Sequence, residues 1–148
     1  MPQGHFQKTD VESGSVVCRG LALKTYFILY VASQERSTEF YKKVLASEPV
    51  LFEPGMTEFA LSDSCLLGIM PAVDIKRILG SLLPEPSIKH PSSEIYMMVD
   101  DPLEYHKRAL NAGAVELSPL RERGWGDIAA YSLDLDGNVL VFAKRITS

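Results

Sequence analysis

A carboxylate lies among aromatic residues at the spacing of a β-strand. Glu94, Tyr96 and Met98 alternate with apolar residues, and alternate residues of a strand share one face. A carboxylate held among tyrosines can orient a cationic or hydrogen-bonding ligand, or act as a general base where burial makes it more basic. The spacing therefore predicts either a ligand contact or a general base at Glu94, and the alternative is a solvated carboxylate at the mouth of a strand.

Further aromatic side chains are predicted to line the same pocket. Tyr26, Ile28 and Tyr30 share one face of another strand-like run. Trp125 is the only tryptophan, and its flanking glycines leave the ring room to line a pocket, although core or interface packing is an equal alternative. The residues predicted to contact a ligand are Tyr26, Ile28, Tyr30, Glu94, Tyr96, Met98, Trp125 and Tyr131.

For the other charged or reactive side chains, the sequence favours structural or surface roles. Arg121 and Arg123, near the tryptophan, would either meet an anionic group or form a solvated edge. His90 and His106 have no His or Cys at the spacing of a metal site, so we expect structural or surface positions for both. Cys65 has no neighbouring histidine that would activate it and is expected to be inert.

Length and composition limit the class of protein. The chain has 148 residues, of which 46% are hydrophobic and 23% charged, and this is typical of one compact domain with a full core. A net charge of −4 argues against nucleic acid as a partner, because lysine and arginine must displace the phosphate counterions. The two cysteines are too few for a disulfide framework and are not spaced as a zinc site.

No segment is predicted to enter a membrane. The longest apolar run covers seven residues, 26–32, whereas a spanning helix needs about 20. No basic segment followed by an apolar one is readable at the start, so no signal peptide is expected. The sequence therefore predicts a soluble, cytoplasmic protein with no membrane partner.

The first half of the chain predicts one strand, one helix and three more strands to position these side chains. The β-branched and aromatic run 26–31 predicts the first strand. A helix over 34–46 follows, with Ser33 as its N-cap and Pro49 as its end. The next three strands are expected at 50–53, 57–61 and 65–70.

The second half repeats this order. After a strand at 95–99, Asp101, Pro102 and Glu104 form a helix start of the capping-box type, and Gly113 ends the helix. Three further strands are expected at 115–120, 128–133 and 139–143, the last two joined by a hairpin turn at 136–138. Residues 41–45 match residues 106–110 at an offset of 65, which indicates an internal duplication.

The predicted fold class is α+β, with two tandem βαβββ units that form a curved, barrel-like mixed sheet groove with the helices outside. Residues 21–146 form a single domain made of units at about 21–71 and 92–146. The linker 72–91 is rich in proline but has apolar residues at helical spacing, which predicts a short helix within it: Ile75, Ile78, Leu79, Leu82 and Leu83. Residues 1–20 are expected to be flexible or loosely docked, with 16–18 as a candidate edge strand.

Three short motifs relate the chain to a known family. They are Tyr30-Val31, the helical segment RSTEFYKKVL at 36–45, and Trp125-Gly126-Asp127 followed by DLDGN at 134–138. In this order they resemble the vicinal oxygen chelate superfamily, which includes glyoxalase I, fosfomycin resistance proteins, extradiol dioxygenases and bleomycin resistance proteins. The resemblance runs from about residue 21 to residue 146, and Leu135 stands where the family usually has proline.

The resemblance implies positions for a metal site, which this sequence mostly leaves without ligands. Enzymes of the family hold one divalent metal through four side chains, typically His, Gln or Glu. The corresponding positions here are Tyr26, Gly68, Glu94 and Val141, and only Glu94 is a useful ligand. We therefore expect no metal and no other cofactor. If the alignment is shifted, a divalent metal would be held by Glu94 with Tyr26 or His90.

The resemblance then implies a metal-free protein that binds a small molecule, similar to the bleomycin resistance proteins, which sequester a drug in grooves between two subunits. One alternative is a metal-dependent lyase or isomerase of the glyoxalase type, or a dioxygenase-like member. Another is a structural or regulatory partner whose groove is filled by its own side chains. A homodimer is expected, and the apolar linker helix offers a surface for it or for a pocket lid.

Overall fold

The computed structural model of the chain describes residues 10–12, 15–17, 24–82 and 93–147. The first two strands, β1 (Asp10–Glu12) and β2 (Ser15–Val17), pair with each other in antiparallel orientation as a small sheet of their own. The predicted strand at 16–18 is therefore found one residue earlier, at 15–17. The expected flexibility of the rest of 1–20 concerns residues outside the described ones.

The first four-stranded sheet carries the first βαβββ unit. Its strands are β3 (Thr25–Val31), β4 (Leu51–Glu53), β5 (Met56–Ser62) and β6 (Cys65–Pro71), in the order β3-β6-β5-β4. β3 runs parallel to β6, and the other neighbouring strands are antiparallel. Helix α1 (Gln34–Leu45) joins β3 to β4.

Local chemistry sets both ends of α1. The hydroxyl of Ser33 accepts a hydrogen bond from a backbone N–H of the first turn at 3.3 Å, as expected for the N-cap. At the other end Ala46 adopts the left-handed conformation, with a φ of 49°, and the N–H of Ser47 donates back into the last turn. The expectation that Pro49 ends the helix is therefore wrong, because the backbone has already left the helix after Leu45.

The second four-stranded sheet repeats the arrangement. Its strands are β7 (Glu94–Met98), β8 (Val115–Glu122), β9 (Asp127–Leu133) and β10 (Val139–Arg145), in the order β7-β10-β9-β8, with β7 parallel to β10. Helix α3 (Pro102–Asn111) joins β7 to β8. The predicted α+β class and the two βαβββ units are confirmed, as two four-stranded mixed sheets with helices.

Two details of the duplication and the linker differ from simple repetition. The N-caps Ser33 and Asp101 are 68 positions apart rather than 65, because α1 has 12 residues and α3 only 10, so one offset cannot align both units throughout. Between the units, α2 (Ala72–Leu79) contains Ile75, Ile78 and Leu79 of the predicted linker helix, while Leu82 lies in a following 3₁₀ turn (Gly80–Leu82) and Leu83 lies outside the described residues. Helix α2 ends at Gly80, whose φ of 69° favours glycine. No helix among the described residues is long and apolar enough to cross a membrane.

One hydrophobic core lies between the helices and both sheets. Helices α1 and α3 contact each other, and the core joins side chains from α1, α3 and both sheets, including Phe40, Val44, Phe59, Leu67, Ile69, Ala109, Leu140 and Phe142. These side chains are almost fully removed from water. The two units therefore share one core, in which burial of apolar area is the main stabilising contribution.

The β9–β10 turn also fastens the two units together. The buried hydroxyl of Tyr41, on α1, donates a hydrogen bond to the carboxylate of Asp134 at 2.5 Å. The backbone N–H of Ala32 and the hydroxyl of Ser37 donate to the carboxylate of Asp136 at 2.9 and 3.1 Å. Burial, together with the adjacent Asp134 carboxylate, raises the pKa of Tyr41 well above its ordinary value. We call this set of contacts the turn clamp.

Candidate functional site

The second sheet has an open face on the side away from the helices. Leu140 and Phe142 of β10 pack in the core, so the intervening Val141 faces the other way. The strand register sets Tyr96 of β7 and Tyr131 of β9 on either side of Val141. Two tyrosine rings therefore lie on this face, and Val141 between them is fully buried in a small apolar cluster with Ala129 and Ala143.

A chain of hydrogen bonds fixes the aromatic groups at one end of this face. The indole N–H of Trp125 donates to the hydroxyl of Tyr96 at 3.0 Å, and that hydroxyl donates to the carboxylate of Asp127 at 2.7 Å. Asp127 is buried and forms an ion pair with Arg145 at 3.1 Å. Arg145 also donates to the backbone carbonyl of Trp125 at 2.9 Å. The tryptophan is thus held at both its ring and its backbone although its side chain is 54% exposed.

Gly126 allows the loop to take this shape. Its φ of 94° lies in the left-handed region that favours glycine, and a Cβ there would lie 2.9 Å from a guanidinium nitrogen of Arg145. A Cβ added at Gly124, on the other side of Trp125, would have no other atom within 4 Å. The two flanking glycines therefore differ, and only Gly126 is required by the geometry.

Arg123 is directed into the protein rather than toward a ligand. Its guanidinium carbon lies 4.8 Å from the ring centre of Tyr131, which is the distance of a cation–π contact. The same group donates to the carbonyl of Ala129 at 2.8 Å and to the hydroxyl of Ser118 at 2.8 Å. Arg121 is exposed on β8. Of the two arginines, only Arg121 is therefore exposed enough to meet an anionic group, because the guanidinium of Arg123 is already bonded within the protein.

Both tyrosines of the open face keep their protons at neutral pH. Burial raises the pKa of Tyr96, and its hydrogen bond to Asp127 acts in the same direction, whereas the hydrogen bond from Trp125 opposes it. Burial also raises the pKa of Tyr131, and the negative charge of Glu94 adds to this increase. The phenol groups can therefore act as hydrogen-bond donors or acceptors.

The remaining predicted contact residues lie on the first sheet. Tyr26, Ile28 and Tyr30 occupy the face of β3 away from the helices and are 45%, 43% and 37% exposed. In register beside Ile28 lies Gly68, where a Cβ would be 3.0 Å from an Ile28 side-chain carbon and 3.3 Å from the Met56 sulfur. The predicted set therefore falls on two sheets, with Glu94, Tyr96, Met98, Trp125 and Tyr131 on or beside the second.

Sequence reasoning missed two members of the hydrogen-bonded chain. For Asp127 the sequence indicates only that it lies two residues after Trp125. Arg145 follows from strand alternation, since it shares a face of β10 with Val141 and its register partner in β9 is Asp127. Alternation along β10 predicts the face on which Arg145 lies, but its pairing with Asp127 depends on the register between β9 and β10.

The four positions at which the resemblance implies metal ligands do not fit a divalent metal. The registers pair Tyr26 with Leu66 and Glu94 with Val139, so Gly68 and Val141, two residues further on, occupy equivalent places in the two sheets. Neither residue has a donor atom in its side chain. Within 24–82 and 93–147, moreover, no three His, Cys, Asp or Glu residues come together as a metal site would need.

The histidines and Cys65 lie apart from the open face. His106 is 3% exposed, and its Nε2 atom lies 2.9 Å from a carboxylate oxygen of Glu116 between α3 and β8. This is the structural position expected for it. His90 lies outside the described residues. Cys65, at the start of β6, is a free thiol.

Solved structures of known proteins share this arrangement. A glyoxalase-related enzyme from Fulvimarina pelagi matches 84% of this chain and 89% of its own, with 19% identity and a TM-score of 0.73. A glyoxalase/bleomycin resistance protein/dioxygenase family enzyme from Burkholderia phytofirmans PsJN matches 82% and 97%, with 16% identity and a TM-score of 0.72. A glyoxalase/bleomycin resistance protein/dioxygenase from Nocardioides matches 86% and 85%, with 19% identity and a TM-score of 0.68.

No protein-family model and no curated protein sequence matches the chain. The structural matches show that the chain has the fold of the vicinal oxygen chelate superfamily. At these identities they show the fold alone, and one fold supports several chemistries. The function must therefore be argued from the residues of the open face.

Proposed function

We propose that this protein binds a small, planar organic molecule on the open face of its second sheet without the help of a metal. The observation that carries the proposal is the half-exposed ring of Trp125, whose N–H is already bonded to Tyr96 and whose backbone is bonded to Arg145. A large aromatic surface held in place before binding loses little conformational freedom when a ligand stacks on it.

The charge of the face favours a cationic ligand. Glu94 shares one face of β7 with Tyr96, and no Lys, Arg or His of the described residues forms an ion pair with Glu94. Asp127, in contrast, is neutralised by Arg145. A cation near Glu94 would gain from the carboxylate and from the exposed ring of Trp125, whereas the ring of Tyr131 already contacts Arg123. The proposed ligand class is therefore a planar organic cation.

A titration followed by tryptophan fluorescence tests this proposal, because Trp125 is the only tryptophan. The probes are ethidium and phenanthridine, which share a ring system but differ in charge at neutral pH. We expect both to quench the emission and ethidium to bind more tightly. In Glu94→Gln, ethidium binding should weaken about two- to fivefold, the range of an exposed ion pair, and phenanthridine binding should not change.

Glu122→Gln is the matched control, since Glu122 is exposed on β8 at the far edge of the same sheet. It should bind both probes as the parent does. Equal ethidium affinity in the parent and in Glu94→Gln would refute the cationic class. Failure of every planar probe to quench Trp125, together with a retained stoichiometric metal and turnover of a hemithioacetal, would replace the proposal with the glyoxalase-type alternative.

A homodimer is the second part of the proposal. Ile78 and Leu79 of α2 are 68% and 49% exposed, and an apolar helix surface of this kind supports association between two copies. Sedimentation of the parent and of Ile78→Ser tests it, with a shift toward the monomer expected in the variant. Location in the cytoplasm and the division into units at 21–71 and 92–146 remain predictions from the sequence.

A further inference from the structure

A cleft of about 380 Å³ runs along the edge of β7 that is not paired with β10, next to residues of the first unit. All six residues from 94 to 99 line it. Even-numbered side chains of β7 face the open side of the sheet and odd-numbered ones face the helices, so only a cleft that follows the strand edge can touch all of them. Phe27, Cys65 and the segment 60–62 form the opposite wall. The cleft shares Glu94, Tyr96 and Met98 with the proposed ligand site but not Trp125 or Tyr131, so it extends that site away from its aromatic end.

The edge of β7 presents to this cleft backbone groups that pair with no other described strand. The N–H of Val99 donates to the carbonyl of Ala143 at 2.9 Å, which shows that odd-numbered residues turn their backbone groups toward β10. The N–H and C=O groups of Glu94, Tyr96 and Met98 therefore point away from β10. Among the described strands, β7 pairs with β10 alone.

β7 also lacks the features that usually protect an edge strand. At the outer edge of the first sheet, β4 has only three residues and is followed by Pro54. At the outer edge of the second sheet, β8 contains Pro119 and two register shifts. β7 has five residues in regular register with no proline and no lysine. β3, the corresponding edge of the first sheet, likewise has neither proline nor lysine, and edges without such features can pair with another strand.

The floor of the cleft is apolar and continuous with the core. Six lining residues pack partly buried against the core cluster: Leu45, Leu61, Ile95, Met97, Val99 and Tyr105. Glu94, at the start of β7, is the one charged residue among the lining residues that the structure describes. An occupant that fits must offer backbone donors and acceptors at strand spacing, apolar side chains at alternate positions, and a basic rather than an acidic end.

We propose that the cleft binds an extended peptide segment with alternating apolar side chains, which adds a strand to the edge of β7. Main-chain hydrogen bonds to Glu94, Tyr96 and Met98 supply the pairing, and the apolar floor selects the side chains. A strand of five residues spans about 16 Å, so a segment of similar length fills the edge.

The probe is the synthetic peptide acetyl-KVTVTVK-amide, titrated by calorimetry into the full chain. Two control peptides carry N-methyl groups, one on the threonine amides and one on the valine amides. Methylation removes the donors on one edge of the peptide and leaves its side chains unchanged. We expect the parent peptide to bind, and at least one methylated peptide to bind tenfold or more weakly. With the valine side chains on the apolar floor, the direction of the peptide decides whether its threonine or its valine amides face β7. The methylated peptide that binds more weakly therefore shows whether the peptide runs parallel or antiparallel to β7.

Two further measurements locate the peptide. Ser62→Trp places a bulky side chain in the wall of the cleft and should abolish binding, while Ser64→Trp, in the adjacent turn and outside the lining, should not. Amide hydrogen exchange should show new protection at Tyr96 and Met98 when the peptide is bound. Because these exchange measurements use the unaltered chain, they hold even if Ser62→Trp fails to fold.

Three results would overturn the proposal. Equal binding of the parent and both methylated peptides would mean that apolar contact, not strand pairing, holds the peptide. Unchanged binding in a folded Ser62→Trp would place the peptide elsewhere. Absence of binding, with a lower sedimentation coefficient for Ser62→Trp than for Ser64→Trp, would assign the edge to a second copy of the chain.

Discussion

Removal of the Tyr41 hydroxyl tests how firmly the turn clamp joins the two βαβββ units. In Tyr41→Phe the carboxylate of Asp134 keeps hydrogen bonds from the backbone N–H groups of Asp136 and Asn138 and from the Asn138 side chain, at 2.8 to 2.9 Å. It does not become an isolated buried charge. The loss is therefore that of one hydrogen bond to a charged group, about 1.5–3 kcal/mol of unfolding free energy. Urea denaturation at pH 7 measures it.

The same substitution has a pH dependence with a definite sign. The pKa of Tyr41 is raised in the folded protein, so above the ordinary tyrosine pKa of about 10 the unfolded chain loses this proton and the folded chain keeps it. Stability from this group is complete below that pH and falls as pH rises further, by about 1.4 kcal/mol per unit. Tyr41→Phe lacks the group, so its deficit relative to the parent should shrink above that pH.

Tyr30→Phe is the control, because Tyr30 is 37% exposed on the first sheet and lies outside the clamp. It should change the unfolding free energy by less than about 0.5 kcal/mol. The clamp interpretation is refuted if Tyr41→Phe behaves like Tyr30→Phe at neutral pH. It is also refuted if the difference between Tyr41→Phe and the parent stays constant as the pH is raised beyond the tyrosine range.

Three further outcomes follow from the site. Tyr96→Phe removes the acceptor for the Trp125 indole N–H, so the fluorescence anisotropy of Trp125 should fall and probe affinity should drop about fivefold, the effect of one neutral hydrogen bond. Gly126→Ala should cost about 1–3 kcal/mol in urea denaturation because of its positive φ and the contact with Arg145, whereas Gly124→Ala should stay within about 0.5 kcal/mol. Elemental analysis of protein purified without chelator or histidine tag, and incubated with nickel, zinc and manganese, should find less than one metal per subunit. A stoichiometric metal would show that the ligand positions are misaligned.

The fold could be predicted because each element carries its own local signal. Ser33 and Asp101 mark helix starts by side-chain capping, and both accept the expected hydrogen bonds. The end of α1 could not be predicted in the same way. Ala46 takes a positive φ that alanine rarely adopts, in a turn closed by a hydrogen bond from the N–H of Ser47 to the carbonyl of Lys42, and no residue type in the sequence signals it.

The candidate site was predictable in its strands and less so in its loop. Alternation alone places Glu94, Tyr96 and Met98 on one face, because a strand has only two faces. The partners of Trp125 depend on the register between β7, β9 and β10, and register is a property of pairing across the chain. The ion pair of Asp127 with Arg145 therefore stayed hidden until the strands were placed side by side.

The motif that carries the family resemblance divides into two parts in the structure. Asp134, Asp136 and Asn138 form the turn clamp and its supporting hydrogen bonds, so these residues maintain the fold. Leu135, where the family usually has proline, packs against the core.

Trp125 and Asp127, the other part of the motif, belong to the open face and contact Tyr96 there. The first part of the motif joins the two βαβββ units, and this role does not depend on what the protein binds. It follows that the resemblance predicts the fold well and the activity poorly, and the proposed function depends on the few side chains around Trp125 that the fold does not dictate.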